Sequence, residues 1–403
     1  MKRILIFSLN YYPRFIGGAE VAIKEITDRI ASEEIEFHLV TLRFDTQLPA
    51  EERIGNVRVH RIGFATKNPS ITDLGTFPLH LNKFLYQIAA AYTARRLHAK
   101  YRFDGIWAMM AHSCGIPAGI FKGWYPHIPY LLTLQEGDSP RKIEGMMRYV
   151  RGPFRAGFTR ADYLQSISIF LDAWGKRMGF TGYAEVIPNA VNTKHFAGTI
   201  TSEERTAIRE KLGVAHDDVL LVTTSRLVHK NATDDVIKAL ALLPANIHFI
   251  VYGIGPDEAM LRELAKKEGV EARVHFMGQI GHAEMPKALK SCNIFIRPSR
   301  SEGMGNSFVE AMAAELPVIA TQEGGIADFL FDEVRNPEQE TTGWAVDKDS
   351  PEQIANAVND ILLHPEKVTK VCETAKKLAF LKYDWDLIAR NMRALFDRLL
   401  VNR

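Results

Sequence analysis

The chain has 403 residues, 46% hydrophobic and 24% charged, with 50 Lys and Arg against 48 Asp and Glu for a formal charge of +2. That is too long for one core and too apolar for disorder, and it fits neither a collagen repeat nor a small disulfide scaffold, so two domains of roughly 200 residues are expected. The near-neutral total hides an asymmetry: residues 1–190 carry a net +7 and residues 191–403 a net −5, as expected of two domains with different partners, the basic one meeting an anion. Cys114, Cys292 and Cys372 lie far apart in no Cys-x-x-Cys or Cys/His cluster, which argues against disulfides and zinc and for a reducing cytosol.

The first nine residues mimic a signal peptide, but the apolar run stops at Asn10 with no small-residue cleavage site, and a buried first strand over residues 3–9 is expected. Further strands are expected at 37–42, 57–61, 105–109, 130–134, 163–166 and 185–187, then at 219–224, 248–252, 273–276, 294–297 and 318–320. They alternate with amphipathic stretches of helical length, the pattern of parallel sheets covered by helices on both faces, so each half is expected to be a Rossmann-like α/β layer structure. The apolar stretch 106–121 contains His112 and Pro117 and falls short of the ~20 residues that span a bilayer. Residues 188–196 hold turn formers without periodicity and are the expected linker. After the cap candidate Asp384, the residues Leu387, Ile388, Met392, Leu395, Phe396, Leu399 and Leu400 make a helical stripe that needs a surface to lie on.

The chemistry gathers where strands end. Gly17-Gly18-Ala19-Glu20 follows the first strand and opens a helical pattern; glycines there let backbone N–H groups approach an anion, with a tight turn needing positive φ as the structural alternative. The strand at 219–224 runs into a loop holding Arg226 and Lys230, a fork and a point charge that can grip two phosphates. Gly253 and Gly255 follow the next strand, at the edge where open α/β sheets bind ligands. In the segment 298–313, Glu302 and Glu310 stand eight apart across Gly303-Met304-Gly305-Asn306. Glu302 is expected in the loop, with the Gly303, Met304 and Gly305 amides binding sugar hydroxyls, and Glu310 two turns along a helix, facing a ribose. Gly324-Gly325 adds a third glycine turn.

These pieces, with Ile187-Pro188-Asn189-x-Val191-Asn192, Gly253-x-Gly255-Pro256, Phe276-x-Gly278, Pro298-Ser299 and Pro317-Val318-Ile319-Ala320, resemble almost end to end a retaining glycosyltransferase of the GT-B fold, family 4 (glycosyl transferases group 1). The resemblance implies an N-terminal acceptor domain over 1–190, joined by a C-terminal helix, 384–403, that crosses back to it. A nucleotide-sugar domain over 191–383 would then face it across a cleft that closes about 188–196. It implies that Arg226 and Lys230 neutralise the diphosphate leaving group, that Glu302 with the following amides holds the sugar, and that Gly17, Gly18, Gly253, Gly255, Gly303, Met304, Gly305, Asn306 and Glu310 bind the donor. It further implies a UDP- or GDP-linked sugar as donor and a carbohydrate or lipid-linked acceptor in cell-surface glycan or glycolipid synthesis, with neither metal nor cofactor expected. Gln135 stands where many relatives carry a histidine that touches the donor sugar. Glu136, Asp138 and His112 are expected to contact acceptor or sugar, against helix capping for the two acids and plain packing for the histidine. The rival reading is a degenerate GT-B protein that binds a nucleotide sugar as sensor or scaffold.

Other classes are disfavoured. Asp347-Lys348-Asp349 and Asp384-Trp385-Asp386 read as a turn and a helix start, not as metal-holding triplets. The first strand–turn–helix lacks Gly-x-Gly-x-x-Gly, and no basic stripe or module for nucleic acid is present. Arg141, Lys142, Arg148, Arg151, Arg155 and Arg160 alternate with Met146, Met147, Tyr149, Val150, Phe154 and Phe158. That segment reads either as peripheral contact with the anionic inner face of a membrane by a cytoplasmic protein, or as a core helix with a solvated basic face, interrupted at Gly152-Pro153.

Overall fold

The structure, a computed structural model, describes every residue except Phe15, Ile71, Thr72, Asn402 and Arg403; the last two, the expected end of the C-terminal helix, lie outside the described residues. The chain divides into two units, Met1–Asn189 with Trp385–Arg403, and Ala190–Asp384.

The first unit is built on eight strands: β1 (Lys2–Phe7), β2 (Ile35–Leu42), β3 (Glu51–Ile54), β4 (Val57–Ile62), β5 (Gly105–Met109), β6 (Tyr130–Leu134), β7 (Tyr163–Ser166) and β8 (Tyr183–Val186). They lie in the order β3-β4-β2-β1-β5-β6-β7-β8. All neighbours run parallel except β3 and β4. Ile4, Leu5, Ile6 and Phe7 are fully buried at the sheet's centre, where the signal-like apolar run belongs. The sequence pattern missed β3, since Glu51-Glu52-Arg53-Ile54 is a polar edge strand; its hairpin turns on Gly55-Asn56, and Gly55 has a φ of 56°. The covering helices are α1 (Gly18–Thr27), α2 (Asn82–Tyr101), α3 (Ile116–Trp124), α4 (Pro140–Met146), α5 (Arg151–Thr159) and α6 (Ile169–Arg177). Gly152-Pro153 does not break a helix. It sits in the first turn of α5, where a missing N–H costs no intrahelical bond.

The second unit has six parallel strands: β9 (Val219–Thr224), β10 (Ile247–Tyr252), β11 (Val274–Gly278), β12 (Ile294–Arg297), β13 (Val318–Ala320) and β14 (Trp344–Ala345), in the order β11-β10-β9-β12-β13-β14. Two residues of strand were too few to be read as β14 from the sequence. The helices are α7 (Thr193–Ala197), α8 (Ser202–Leu212), α9 (Thr233–Leu240), α10 (Glu258–Lys267), α11 (Met285–Lys290), α12 (Asn306–Ala313), α13 (Pro351–Leu363) and α14 (Pro365–Lys382). The expected linker is therefore partly helical: Asn192 caps α7 by accepting from the His195 N–H at 3.1 Å. Beside it the Val191 N–H donates to the Tyr383 carbonyl at 2.9 Å and Thr193 donates to the Asp384 carboxylate, so the incoming and outgoing strands of this unit are bonded to each other.

The last helix, α15 (Trp385–Val401), belongs to the first unit. Its apolar stripe lies on that unit's sheet, with the Phe396 ring 5.1 Å from Trp107 and 5.8 Å from Phe37. Leu399 approaches the α-carbon of Gly105 so closely that a β-carbon there would stand 3.2 Å from it.

Candidate active site

Each sheet reverses its direction of growth at one point. In the first unit strands are added outward from β1 on one side and from β5 on the other; in the second the same division falls between β9 and β12. The loops at the carboxyl ends of these strands diverge there and leave a crevice, the usual ligand position in open α/β sheets. Gly17-Gly18 and His112 flank the first point, and Arg226-Lys230 and Glu302 flank the second.

In the second unit the four loops after β10, β9, β12 and β13 are stitched to one another through the backbone. The Leu227 N–H donates to Ile254 at 3.1 Å, the Arg300 N–H to Lys230 at 2.7 Å and the Gly325 N–H to the Glu302 carbonyl at 3.2 Å. Gly253 and Gly255 make the first of these joints possible. A β-carbon at 253 would stand 1.7 Å from the Ser225 carbonyl oxygen, and one at 255 would stand 2.2 Å from that of Leu227. Their role in the fold is thus close packing of backbone on backbone, holding the loop that carries Arg226. Gly255→Ala is expected to destabilise by about 1–3 kcal/mol, the usual cost of overpacking, read as a lower thermal midpoint. An unchanged midpoint would mean that the two loops are not pressed together.

Glu302 lies in the loop as expected, but its carboxylate is engaged. One oxygen accepts from the Arg297 guanidinium at 2.8 Å and the other from the Gly303 N–H at 3.1 Å. The Gly303 amide, expected to face hydroxyls, is therefore turned onto Glu302. Arg297 is a residue that sequence reasoning missed. It ends a buried apolar strand, donates also to Ser307 Oγ at 2.8 Å and lies 4.1 Å over the Phe308 ring, a charge buried beneath the loop. An arginine closing Ile294-Phe295-Ile296 was the available signal, since a buried charge needs a partner. Gly305 adopts a φ of 86°, and a β-carbon there would meet Phe308 at 2.5 Å and Arg297 at 2.6 Å. Met304 is buried, and Asn306 opens α12, in whose first turn the Phe308 N–H donates to the Gly305 carbonyl at 3.2 Å.

Glu310 is the fifth residue of α12, little more than one turn in rather than two. Burial pushes its carboxyl above the ordinary range, opposed by charge on His282, Arg297 and His195. The His195 ring and the His282 carbonyl are themselves 2.9 Å apart. Arg226 is exposed and Lys230 half-buried. Around them the Thr224, Ser225 and Ser299 hydroxyls are buried with no hydrogen-bonding partner among the described residues. Unpartnered buried hydroxyls clustered at the carboxyl ends of adjacent strands are what a polar ligand would satisfy.

In the first unit Gly17 caps α1 with a φ of −125°, an extended conformation open to any residue, so the turn itself does not require glycine. Its N–H donates to the Glu20 carboxylate at 2.7 Å and is thereby taken up within the protein. The amides of Gly18 and Ala19 in the first helical turn have no intrahelical carbonyl to bond. Gln135, at the position of the expected histidine, is paired with Asn189: each amide donates to the other's oxygen, at 3.0 and 3.2 Å. Both functional ends of Gln135 are thus occupied. Asn189 also stands about 4.0 Å from where a Gly18 β-carbon would lie, which gathers Gly18, Gln135 and Asn189 at one edge.

Neither Glu136 nor Asp138 caps α4, the helix that follows them; Ser139 does, by accepting from the Lys142 N–H at 3.4 Å. Glu136 is buried and folds back on the loop after β5, accepting from the Ala111 N–H at 2.6 Å, with His112 Nδ1 at 3.4 Å from the same oxygen. Preceding them, Met110 takes a φ of 66°. This is a strained turn of about 1–3 kcal/mol that the Glu136 bond helps to hold. His112 is half-exposed and its Nε2 meets Ser113 Oγ at 3.0 Å, so it is an oriented group rather than a core packer. Asp138 pairs with Lys142 at 3.1 Å on the surface. Asp349 of the first Asp-x-Asp triplet pairs with Arg300, and Asp386 of the second with Arg29. Among the described residues no three His, Cys, Asp or Glu side chains gather as a metal ion would need.

Residues 16–195 match the model for Glycosyltransferase Family 4 and residues 204–378 that for Glycosyl transferases group 1. The chain belongs to these GT-B glycosyltransferases. An uncharacterized glycosyltransferase of Methanocaldococcus jannaschii is 24% identical over 400 residues, 96% of each chain. A GDP-mannose-dependent monoacylated α-(1-6)-phosphatidylinositol monomannoside mannosyltransferase of Corynebacterium glutamicum is 27% identical over 233 residues, 55% of this chain and 57% of that one. Among solved structures, HepE of Anabaena in complex with UDP-glucose superposes with a TM-score of 0.75 over 99% of this glycosyltransferase and 100% of that chain, at 19% identity. The expected fold class and family are those the glycosyltransferase has.

Proposed function

We propose that this glycosyltransferase is retaining and metal-independent and moves a sugar from a UDP- or GDP-linked donor onto a carbohydrate or lipid-linked acceptor. The second unit takes the donor and the first the acceptor. One observation carries the reading: the loop with Arg226 and Lys230 is bonded to the loop with Glu302 across the reversal point between β9 and β12. In the proposed reaction the bond from the anomeric carbon to the phosphate oxygen breaks while the acceptor oxygen bonds to that carbon on the same face, its proton passing to the departing phosphate. Arg226 and Lys230 stabilise the growing negative charge without reorganising. Glu302, held by Arg297, has lone pairs left to accept from sugar hydroxyls, and Glu310 binds the ribose. His112, oriented by Glu136, faces the acceptor. The GDP-mannose dependence of the Corynebacterium relative and the UDP-glucose bound to the Anabaena protein support a nucleotide-sugar donor, and the former's phosphatidylinositol monomannoside supports a lipid-linked acceptor.

A thermal-shift series with UDP, GDP and ADP is expected to raise the midpoint with one base only, because a ligand of the folded state stabilises by mass action. Proton NMR of the first product, in buffer with EDTA, is expected to show the donor's anomeric configuration kept. Inversion, or loss of turnover with chelator, overturns the mechanism. If donor is bound but never consumed, with any acceptor or with water, the sensor reading replaces it.

The proposal extends to peripheral contact of the first unit with an anionic membrane. Among the described residues no helix is long and apolar enough to cross one. In the basic segment Phe154 and Phe158 are core residues, while Tyr149 is 84% exposed and Met146 and Val150 are exposed beside the cations. Helix α2 adds exposed Phe84, Leu85, Ile88 and Tyr92 together with Lys83, Arg95 and Arg96, in a stretch without an acid from residue 74 to 103. Apolar side chains among cations suit an anionic interface. Flotation with vesicles of 30% phosphatidylglycerol in phosphatidylcholine is expected to carry the protein at low salt. Phe84→Ser with Ile88→Ser should reduce that at least fivefold. No flotation of the wild type at low salt discards the contact.

A further inference from the structure

Arg300 was not singled out by its sequence context, yet its side chain, 12% exposed, makes the densest polar network in the second unit's strand-end loops. Its guanidinium donates to both carboxylate oxygens of Asp234 at 2.8 and 2.9 Å, to Asp235 at 2.7 Å, to Asp349 at 2.6 Å and to the His229 carbonyl at 2.7 Å. Its own N–H donates to the Lys230 carbonyl at 2.7 Å. Every guanidinium nitrogen is therefore in use, and Arg300 is not itself a ligand-binding group. Its partners bracket Lys230: His229 before it, Lys230's own main chain, and Asp234-Asp235 after it at the start of α9. Lys238 bonds to both acids from the other side, at 3.2 and 3.1 Å. Two cations thus face three carboxylates, so the network gives the loop rigidity rather than a positive field. A planar fork can hold this geometry; a single ammonium cannot reach the same set of acceptors.

We propose that Arg300 is a positioning residue that acts through Lys230, holding the segment 229–235 so that the ammonium meets the second phosphate of the donor. It rests on the reading of the second unit as the nucleotide-sugar domain. The consequence is specific: Arg300 sets the preference for a nucleoside diphosphate over the monophosphate, not the recognition of base or ribose.

The test is calorimetric titration of UDP, UMP, GDP and GMP into the full chain, as wild type, Arg300→Met, Arg300→Lys, Lys230→Met and the Arg300→Met/Lys230→Met double variant. For the base that binds, Arg300→Met should weaken the diphosphate about tenfold and leave the monophosphate within twofold. Arg300→Lys should fall between it and the wild type, and the double variant should bind the diphosphate no more weakly than Lys230→Met alone, the signature of two residues acting as one. Should Arg300→Met fail to fold, Asp349→Asn removes one exposed arm of the network and should shift the same ratio two- to threefold. Losses that add in the double variant, or that fall equally on mono- and diphosphate, overturn the role of Arg300 alone. A wild type that binds neither diphosphate removes the donor-site reading beneath it.

Discussion

Arg297→Met is expected to destabilise the second unit by about 3–5 kcal/mol and to lower the thermal midpoint by roughly 10 °C. Arg297 is buried and its guanidinium meets Glu302 and Ser307 at 2.8 Å each, so methionine fills similar space but strands a carboxylate in a poorly solvated position. A buried pair is weak evidence of stability as a pair, because taking both charges from water is costly; removing one partner leaves that cost with nothing opposing it. The double replacement Arg297→Met with Glu302→Gln should therefore recover part of the loss, while turnover stays low if Glu302 holds the sugar as proposed. Equal instability of the single and double variants would show that Arg297 matters for packing over Phe308 and not for holding Glu302.

Arg226→Ala should do the reverse, leaving stability within about 0.5 kcal/mol and reducing turnover about 10²–10³-fold. The side chain is exposed, and the bond that holds its loop runs from Asn231 Nδ2 to the Arg226 carbonyl at 2.7 Å, which alanine keeps. In the proposed mechanism, what is lost is a preorganised charge where the leaving diphosphate becomes more negative. Turnover under saturating donor, with the thermal midpoint as control, separates this from misfolding. A fall of less than threefold would remove Arg226 from the leaving-group site.

The strands that sequence reading found, such as Val219–Thr224 and Ile294–Arg297, are runs of large apolar residues buried on both faces by helices. Glu51–Ile54 was missed because an exposed edge strand has no such run. The candidate loops were legible because residue type and position after a strand are local facts. Arg300 was not, since its acceptors lie 49 to 71 residues away in the chain. Nothing in the short stretch around it records those carboxylates. The pairing of Asn189 with Gln135 escaped for the same reason: the two are 54 residues apart.

By itself the sequence determined that the chain forms two α/β units, that it is a glycosyltransferase, and which strand-end loops hold the charges and glycines. Those properties depend on burial periodicity and on residue identity at fixed spacings. Only the tertiary structure decided how the groups within those loops are used. The Gly17 N–H is taken by Glu20, the Gly303 N–H and Arg297 by Glu302, and Gln135 by Asn189. The physical reason is competition: in a folded loop each polar group bonds the nearest well-aligned partner, and that partner is chosen by packing between segments that are remote in sequence.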